Sequence, residues 1–180
     1  MIGRSEIESK AQEFRVPIAN VECDYVLGWL LTGIYLRAGY LHNLLVLKGG
    51  NGMRKAYFPY TRFSGDLDFS TQEHVDTDRF MIELNEVCDF IGNHAGVEFV
   101  KQRNSVREKR NSDEDRKIYE ARLYFRDFYG NPNTITISIR LDVSEYDRIY
   151  LPIQARNLLH PYSPRWTAKT GHRWTPENRP

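Results

Sequence analysis

The stretch that most limits the fold is Leu47-Lys48-Gly49-Gly50-Asn51-Gly52-Met53-Arg54, answered by Arg62-Phe63-Ser64-Gly65-Asp66-Leu67-Asp68-Phe69. The apolar run Leu44-Leu45-Val46-Leu47 predicts a short buried strand. It stops at two glycines, where backbone can approach a ligand with no Cβ in the way. Asn51 to Tyr57 carries no proline and predicts a short helix, whose first free N–H groups and positive dipole end would point at the same spot. A glycine turn between strand and helix is a place to hold phosphate. In Asp66-Leu67-Asp68-Phe69, strand alternation puts both carboxylates on one face and Leu67 and Phe69 in the core. Carboxylates held side by side repel unless a cation lies between them, and a hard divalent ion such as Mg2+ suits them.

The rest of the chain predicts a frame for these motifs. Ser5 with Glu8 reads as a capping box for a helix over 5–14, and Pro17 marks its end. Dense apolar residues from Ile18 to Leu36 predict a largely buried helix, with Trp29 and Tyr35 read as core rather than as base-stacking platforms. Pro59 breaks the short helix, so Tyr60 to Gly65 is a loop that brings Arg62 and Ser64 to the carboxylates. Asp76 or Thr77 can cap an amphipathic helix over 79–94 that Gly96 closes, and Val97 to Val100 begins a strand. Residues 118–128 and 134–143 alternate as two adjacent antiparallel strands, with Gly130-Asn131-Pro132-Asn133 as the turn.

If Ile135, Ile137, Ile139 and Leu141 face the core, Asp142 shares the other face with Thr136, Ser138 and Arg140. That face is either a solvated surface or the cleft side, with Glu145 and Asp147 as substitutes if the register slips. Residues 101–117 mix Lys101, Arg103, Arg107, Lys109 and Arg110 with Glu108, Asp113, Glu114 and Asp115. They read as a solvated hairpin end or as a path for an RNA backbone. From Tyr150 onward prolines make the chain loop-like, and His160 and His172 are left unassigned.

At 180 residues the chain suffices for one domain with a core, and 41% hydrophobic with 27% charged residues argues against long disorder. A formal charge of +1 says little about partners: a dedicated nucleic-acid binder often has a basic excess, but an enzyme that touches only an RNA end needs a local patch. Cys23 and Cys88 lack metal-ligand spacing and read as free thiols in a reducing compartment. The polar N-terminus is no signal peptide, and no apolar run approaches the roughly 18 residues of a membrane helix. A cytoplasmic protein without membrane contact is expected.

Lys48-Gly49-Gly50, Arg54, and Arg62-Phe63-Ser64-Gly65-Asp66-Leu67-Asp68-Phe69-Ser70 together resemble the AbiEii/AbiGii toxin family, a branch of the DNA polymerase beta-like nucleotidyltransferases. Asp24 to Leu31, Ile139-Arg140-Leu141-Asp142-Val143-Ser144 and His160-Pro161-Tyr162-Ser163 extend the resemblance over about residues 20–163. It implies an α+β fold: a mixed, mainly antiparallel sheet with helices packed on one side. The corresponding division is a nucleotidyltransferase core over 1–150, with helices of 1–43 packed on it, and a Pro-rich, loop-like tail over 151–180. The helical C-terminal part of the resembled family is not expected in this sequence.

The resemblance further implies that Asp142 completes a carboxylate triad with Asp66 and Asp68. These three would be the catalytic and metal-binding residues, holding two Mg2+ ions, or Mn2+ in their place. The expected reaction moves a nucleoside monophosphate from an NTP to an RNA acceptor, tRNA by resemblance. Gly49 and Gly50 would offer N–H groups to the triphosphate, with Asn51 keeping an amide donor there, and Arg54 and Arg62 would neutralise it. Ser64 would bond a phosphate oxygen or orient Asp66. Lys48 is a phosphate ligand or a strand-end surface lysine. The resemblance also implies a toxin of a type IV toxin–antitoxin or phage-defence pair, with a cognate antitoxin encoded beside it. The alternatives are an inactive relative serving as a binding or regulatory module, and phosphate-ester hydrolysis at the same metals.

Overall fold

A computed structural model describes residues 2–110, 117–130 and 135–163, apart from the side chain of Arg110. Met1, residues 111–116, residues 131–134, where the turn is expected, and residues 164–180 with His172 lie outside the described residues. The order is α1 (Arg4–Phe14), α2 (Ile18–Leu36), α3 (Tyr40–Leu44), β1 (Val46–Lys48), α4 (Gly49–Ala56), β2 (Asp66–Ser70), α5 (Thr77–Ala95), a 3-10 turn (Lys101–Arg103), β3 (Ser105–Arg110), β4 (Lys117–Arg126) and β5 (Thr136–Ser144). The five strands form one sheet in the order β1-β2-β5-β4-β3. Only β2 and β5 run parallel; the other neighbours are antiparallel. The fold is therefore α+β with a mixed, mainly antiparallel sheet, as the sequence predicts.

Strand alternation gives this sheet two unlike faces. Leu67, Phe69, Tyr119, Ala121, Leu123, Phe125, Ile139, Leu141 and Val143 are buried in one cluster with Val26, Leu27, Leu30 and Leu31 of α2 and Phe80, Leu84 and Ile91 of α5. Truncating Phe69 or Phe125 to alanine there would cost about 3–5 kcal/mol. The intervening residues Asp66, Asp68, Glu120, Arg122, Ser138, Arg140 and Asp142 lie on the opposite face. At α5 the expected caps are both present: Asp76 Oδ1 accepts from the backbone N–H of Asp78 and Arg79, and Gly96 closes the helix with φ 71°.

Three local expectations are corrected. Gly3, not Ser5, is the N-cap of α1 and gives no side-chain bond; Glu8 accepts from the Tyr129 hydroxyl at 2.7 Å and is not free to reach back. The run 44–47 is not one buried strand. Leu44 ends α3, and β1 is a three-residue edge strand whose residues are all half-buried. Val97 to Val100 makes only an isolated bridge, Phe99 with Phe125, before the 3-10 turn. Asn104 then takes the Tyr124 N–H on its side chain at 3.0 Å, and the strand resumes at Ser105.

Residues 151–163 form no helix or strand, yet their end is packed against the domain. Leu159 N–H bonds the Lys55 carbonyl, and the Ser163 N–H bonds Glu6. A Cβ on Gly28 would collide with the His160 ring, so the glycine in α2 makes the berth for it. Burial and the nearby Lys55 charge push the His160 pKa down to about 3, which keeps the ring neutral.

Candidate active site

The parallel pairing of β2 with β5 puts Asp68 opposite Asp142 and Asp66 opposite Arg140. A one-residue slip would have sent Asp142 into the core, so the hydrophobic pattern of both strands fixes the meeting. The Ser64 hydroxyl donates to Asp66 Oδ1 at 2.6 Å. Asn51 is fully buried, and its amide donates to the carbonyls of Ser64 (3.2 Å) and Asp66 (2.5 Å), tying the loop to α4. Gly49 and Gly50 are the first residues of α4 rather than a turn ahead of it, with Lys48 as N-cap. Gly49 has φ 67°, and a Cβ there would collide with Asp68 Oδ2. Only glycine lets the helix start and that carboxylate share the space.

The three acids are not equivalent. The Ser64 hydrogen bond, helped by Arg140, holds Asp66 below the usual carboxylate range. Burial, then the charges of Asp66 and Asp142, pushes Asp68 up, against Lys48 and Arg140. Among the described residues Asp68 makes no ion pair. Arg140 reaches both of the others, with Nη2 2.5 Å from Asp66 Oδ2 and Nε 3.2 Å from Asp142 Oδ2. Lys109 Nζ stands 3.5 Å from Asp142 Oδ1, an atom that is buried without a hydrogen bond.

Basic side chains surround this group on β3 and β4. Arg107, Lys109 and Arg122 converge on Glu120, and the Arg122 hydrogen bond, followed by those from Lys109 and Arg107, holds its carboxyl at about 2. Lys48 donates to Asp147 (2.7 Å) and Ser144 (3.0 Å), and its charge acts on Asp68, so it belongs to the site's edge rather than to open surface. Arg62 is exposed and, among the described residues, makes no ion pair.

Two expected ligands are placed otherwise. Arg54 is not at the site: its side chain is 2% exposed, pairs with Asp24, and donates to the carbonyls of Pro59 and Thr61. On α4 it falls on the turned-in side, where a cation must find a buried acid. The amide donor of Asn51 is likewise spent on backbone carbonyls. Of the alternative acids, Glu145 is buried and bonds His74 and the Val75 N–H, whereas Asp147 takes Lys48 and Ser70. The sequence reading missed the bridging role of Arg140 and the Glu120 cluster; period-two alternation already placed Arg140 beside Asp142.

The donor types suit a hard divalent ion: three carboxylates on one face, with Asp142 Oδ1 buried and without a hydrogen bond among the described residues, and Asp68 outside any ion pair there. As they stand, no three His, Cys, Asp or Glu among the described residues are arranged to hold one. The Arg140 guanidinium pairs with two of the three, Asp66 and Asp142. No helix among the described residues is long and apolar enough to cross a membrane, and both cysteines are free thiols.

Known proteins can be set beside this geometry. The model of the family described as "Nucleotidyl transferase AbiEii toxin, Type IV TA system" matches residues 29–167. No curated protein matches. Among solved structures, MenT4, a nucleotidyltransferase toxin from Mycobacterium tuberculosis H37Rv, superposes with a TM-score of 0.53 at 22% identity. The superposition covers 89% of this chain and 49% of that one, so the chain spans about half the length of the solved relative. At that identity the likeness shows the fold. The family match takes in the glycine pair, both aspartates of β2 and Asp142, and by it the chain belongs to the AbiEii nucleotidyltransferase toxin family.

Proposed function

We propose that this chain moves a nucleoside monophosphate from an NTP onto the end of an RNA, with tRNA as the acceptor, in a magnesium-dependent reaction. An RNA hydroxyl oxygen bonds to the α-phosphorus, the bond to the bridging oxygen breaks, and pyrophosphate leaves as the hydroxyl gives up its proton. The observation that carries this reading is the pairing of Asp68 with Asp142 in neighbouring strands, with the Asp68 carboxylate packed against the Gly49 backbone.

The N–H groups of Gly49 and Gly50, at the positive end of α4, receive the triphosphate. Lys48 and the exposed Arg62 neutralise it. Ser64 keeps Asp66 ionised and aimed, while Asn51 holds the loop that carries both. Asp66, Asp68 and Asp142 would hold two magnesium ions, with manganese as substitute. When bound, the metal would lower the pKa of the attacking hydroxyl and offset charge on the phosphoryl oxygens. In the cell the reading is of a cytoplasmic toxin with a cognate antitoxin, in a toxin–antitoxin or phage-defence pair.

A second reading, a nucleotide-binding module without transfer, is favoured by one observation: Arg140 bridges Asp66 and Asp142. The test is incubation with labelled NTPs, Mg2+ and total RNA, beside Asp68→Ala. Label on RNA that the variant loses supports transfer. Retained NTP binding without label makes the chain a module, and release of inorganic phosphate makes it a hydrolase.

A further inference from the structure

Arg140 stands two residues before Asp142 on β5 and opposite Asp66 in the register, so it shares their face of the sheet. One guanidinium thereby spans two of the three carboxylates, at 2.5 and 3.2 Å. The side chain is 43% exposed, so it is no core strut. Beside it lies an open depression of about 340 Å³, lined by Gly65, Asp66, Arg122, Ser138 and Ile139 together with Arg140 itself.

We propose that Arg140 is a gate: its guanidinium fills the place of a divalent cation between Asp66 and Asp142, and the ion binds only when Arg140 swings into the adjoining depression. The inference rests on the reading of these carboxylates as an ion site. Arg140 spans two of the three carboxylates, with Lys109 and Lys48 only at the edge, so Asp68, alone of the three without an ion pair among the described residues, carries the charge deficit. A compact divalent ion with oxygen ligands removes it. The displaced guanidinium is not left bare, because Glu120 lies on the same face and already acts on it. It moves next to Arg122, its neighbour across β4, where Glu120 is shared. Displacement lowers the apparent affinity for the ion by the fraction of time the gate is open.

The test is Mn2+ binding to the whole chain, read from the electron paramagnetic resonance of the free ion, in wild type, Arg140→Gln, Arg122→Gln and Asp68→Asn. Arg140→Gln is expected to bind at least about fivefold more tightly than wild type, within the usual range of coupling between sites. Arg122→Gln removes the same charge from the same face without touching Asp66 or Asp142, and is expected to change affinity clearly less. Arg140→Gln binding no tighter than wild type, or Arg122→Gln matching it, overturns the gate while leaving the ion site standing. Absence of Mn2+ binding in every folded variant removes the ion site and the gate with it. In the wild-type protein, independently of how a variant folds, the Arg140 Nε–H resonance is expected to shift on Mg2+ addition. A resonance unmoved at a Mg2+ concentration that saturates binding overturns the gate as well.

Discussion

The chain builds two clusters of charge from the same residue types and uses them in opposite ways. Inside, Asp24 takes Lys55 at 2.8 Å, Arg54 at 3.2 Å and the Tyr162 hydroxyl at 2.7 Å. Outside, on the open face of the sheet, Asp66 and Asp142 share Arg140, with Lys109 at their edge, and Asp68 stands beside them without an ion pair among the described residues. The inner cluster sets two cations and a hydroxyl against one carboxylate and fastens three segments: α2, α4 and the chain near residue 162. The outer cluster has more acid than base and half-exposed members. Charge that is satisfied and dry holds a fold together, whereas charge left short beside open space is available for a ligand.

The largest expected effect separates them at once. Asp24→Ala leaves two cations buried without a counter-charge and is expected to cost about 3–5 kcal/mol in urea unfolding. Asp68→Asn is expected to cost no stability, because it removes a repelled charge, yet to lower transfer about a thousandfold, the several kcal/mol a bound metal contributes. A loss of folding in Asp68→Asn, or undiminished transfer, would break the comparison. Gly49→Ala lies between the two: the left-handed φ costs roughly 1–2 kcal/mol on its own, and the displaced Asp68 should carry transfer down with it. Labelling assays and thermal melts on the same sample would show whether the two losses go together.

Smaller effects sharpen the contrast. Tyr162→Phe removes one hydrogen bond to a charged group and is expected to cost about 1.5–3 kcal/mol at most, with transfer per folded molecule unchanged. In pH the two clusters should differ in sign. Burial works against ionised Asp24, but Lys55 and Arg54 overcome it and hold its folded pKa below the ordinary aspartate value. Its contribution is therefore present above that value and is lost as pH falls through the folded pKa. Asp68 is pushed up, so its carboxyl favours the fold at low pH and the benefit fades as pH rises through its folded pKa. Melting temperature against pH should lie below wild type for Asp24→Asn and at or above it for Asp68→Asn near neutrality, and both differences should shrink toward zero on the acid side, where the wild-type carboxyls are protonated.

The legible parts of this fold were those governed by period and punctuation. Alternation grouped Asp66 with Asp68 and Asp142 with Ser138 and Arg140, the β2–β5 pairing then brought the two sets to one face, and Asp76 and Gly96 marked the ends of α5. Arg54 was misplaced because its spacing from Gly49-Gly50 says that it is near, not which way it points on a short helix. Its true partner, Asp24, is thirty residues away along the chain by sequence number. Ser5 failed as a cap for a similar reason, since Glu8 is claimed by Tyr129, from the far end of β4.

The order of residues by itself determined which side chains share a face within each strand, Asp66 with Asp68 and Asp142 with Arg140, because that follows from the alternation any strand imposes. Tertiary structure decided which cation goes to which acid. Arg54, Lys55 and Arg140 are alike in charge, and only the packing that buries the first two against Asp24 and leaves the third over Asp66 and Asp142 divides the holding of the fold from the holding of a ligand. Coulomb attraction is set by distance and by access to water, and neither is written along a chain until it is folded.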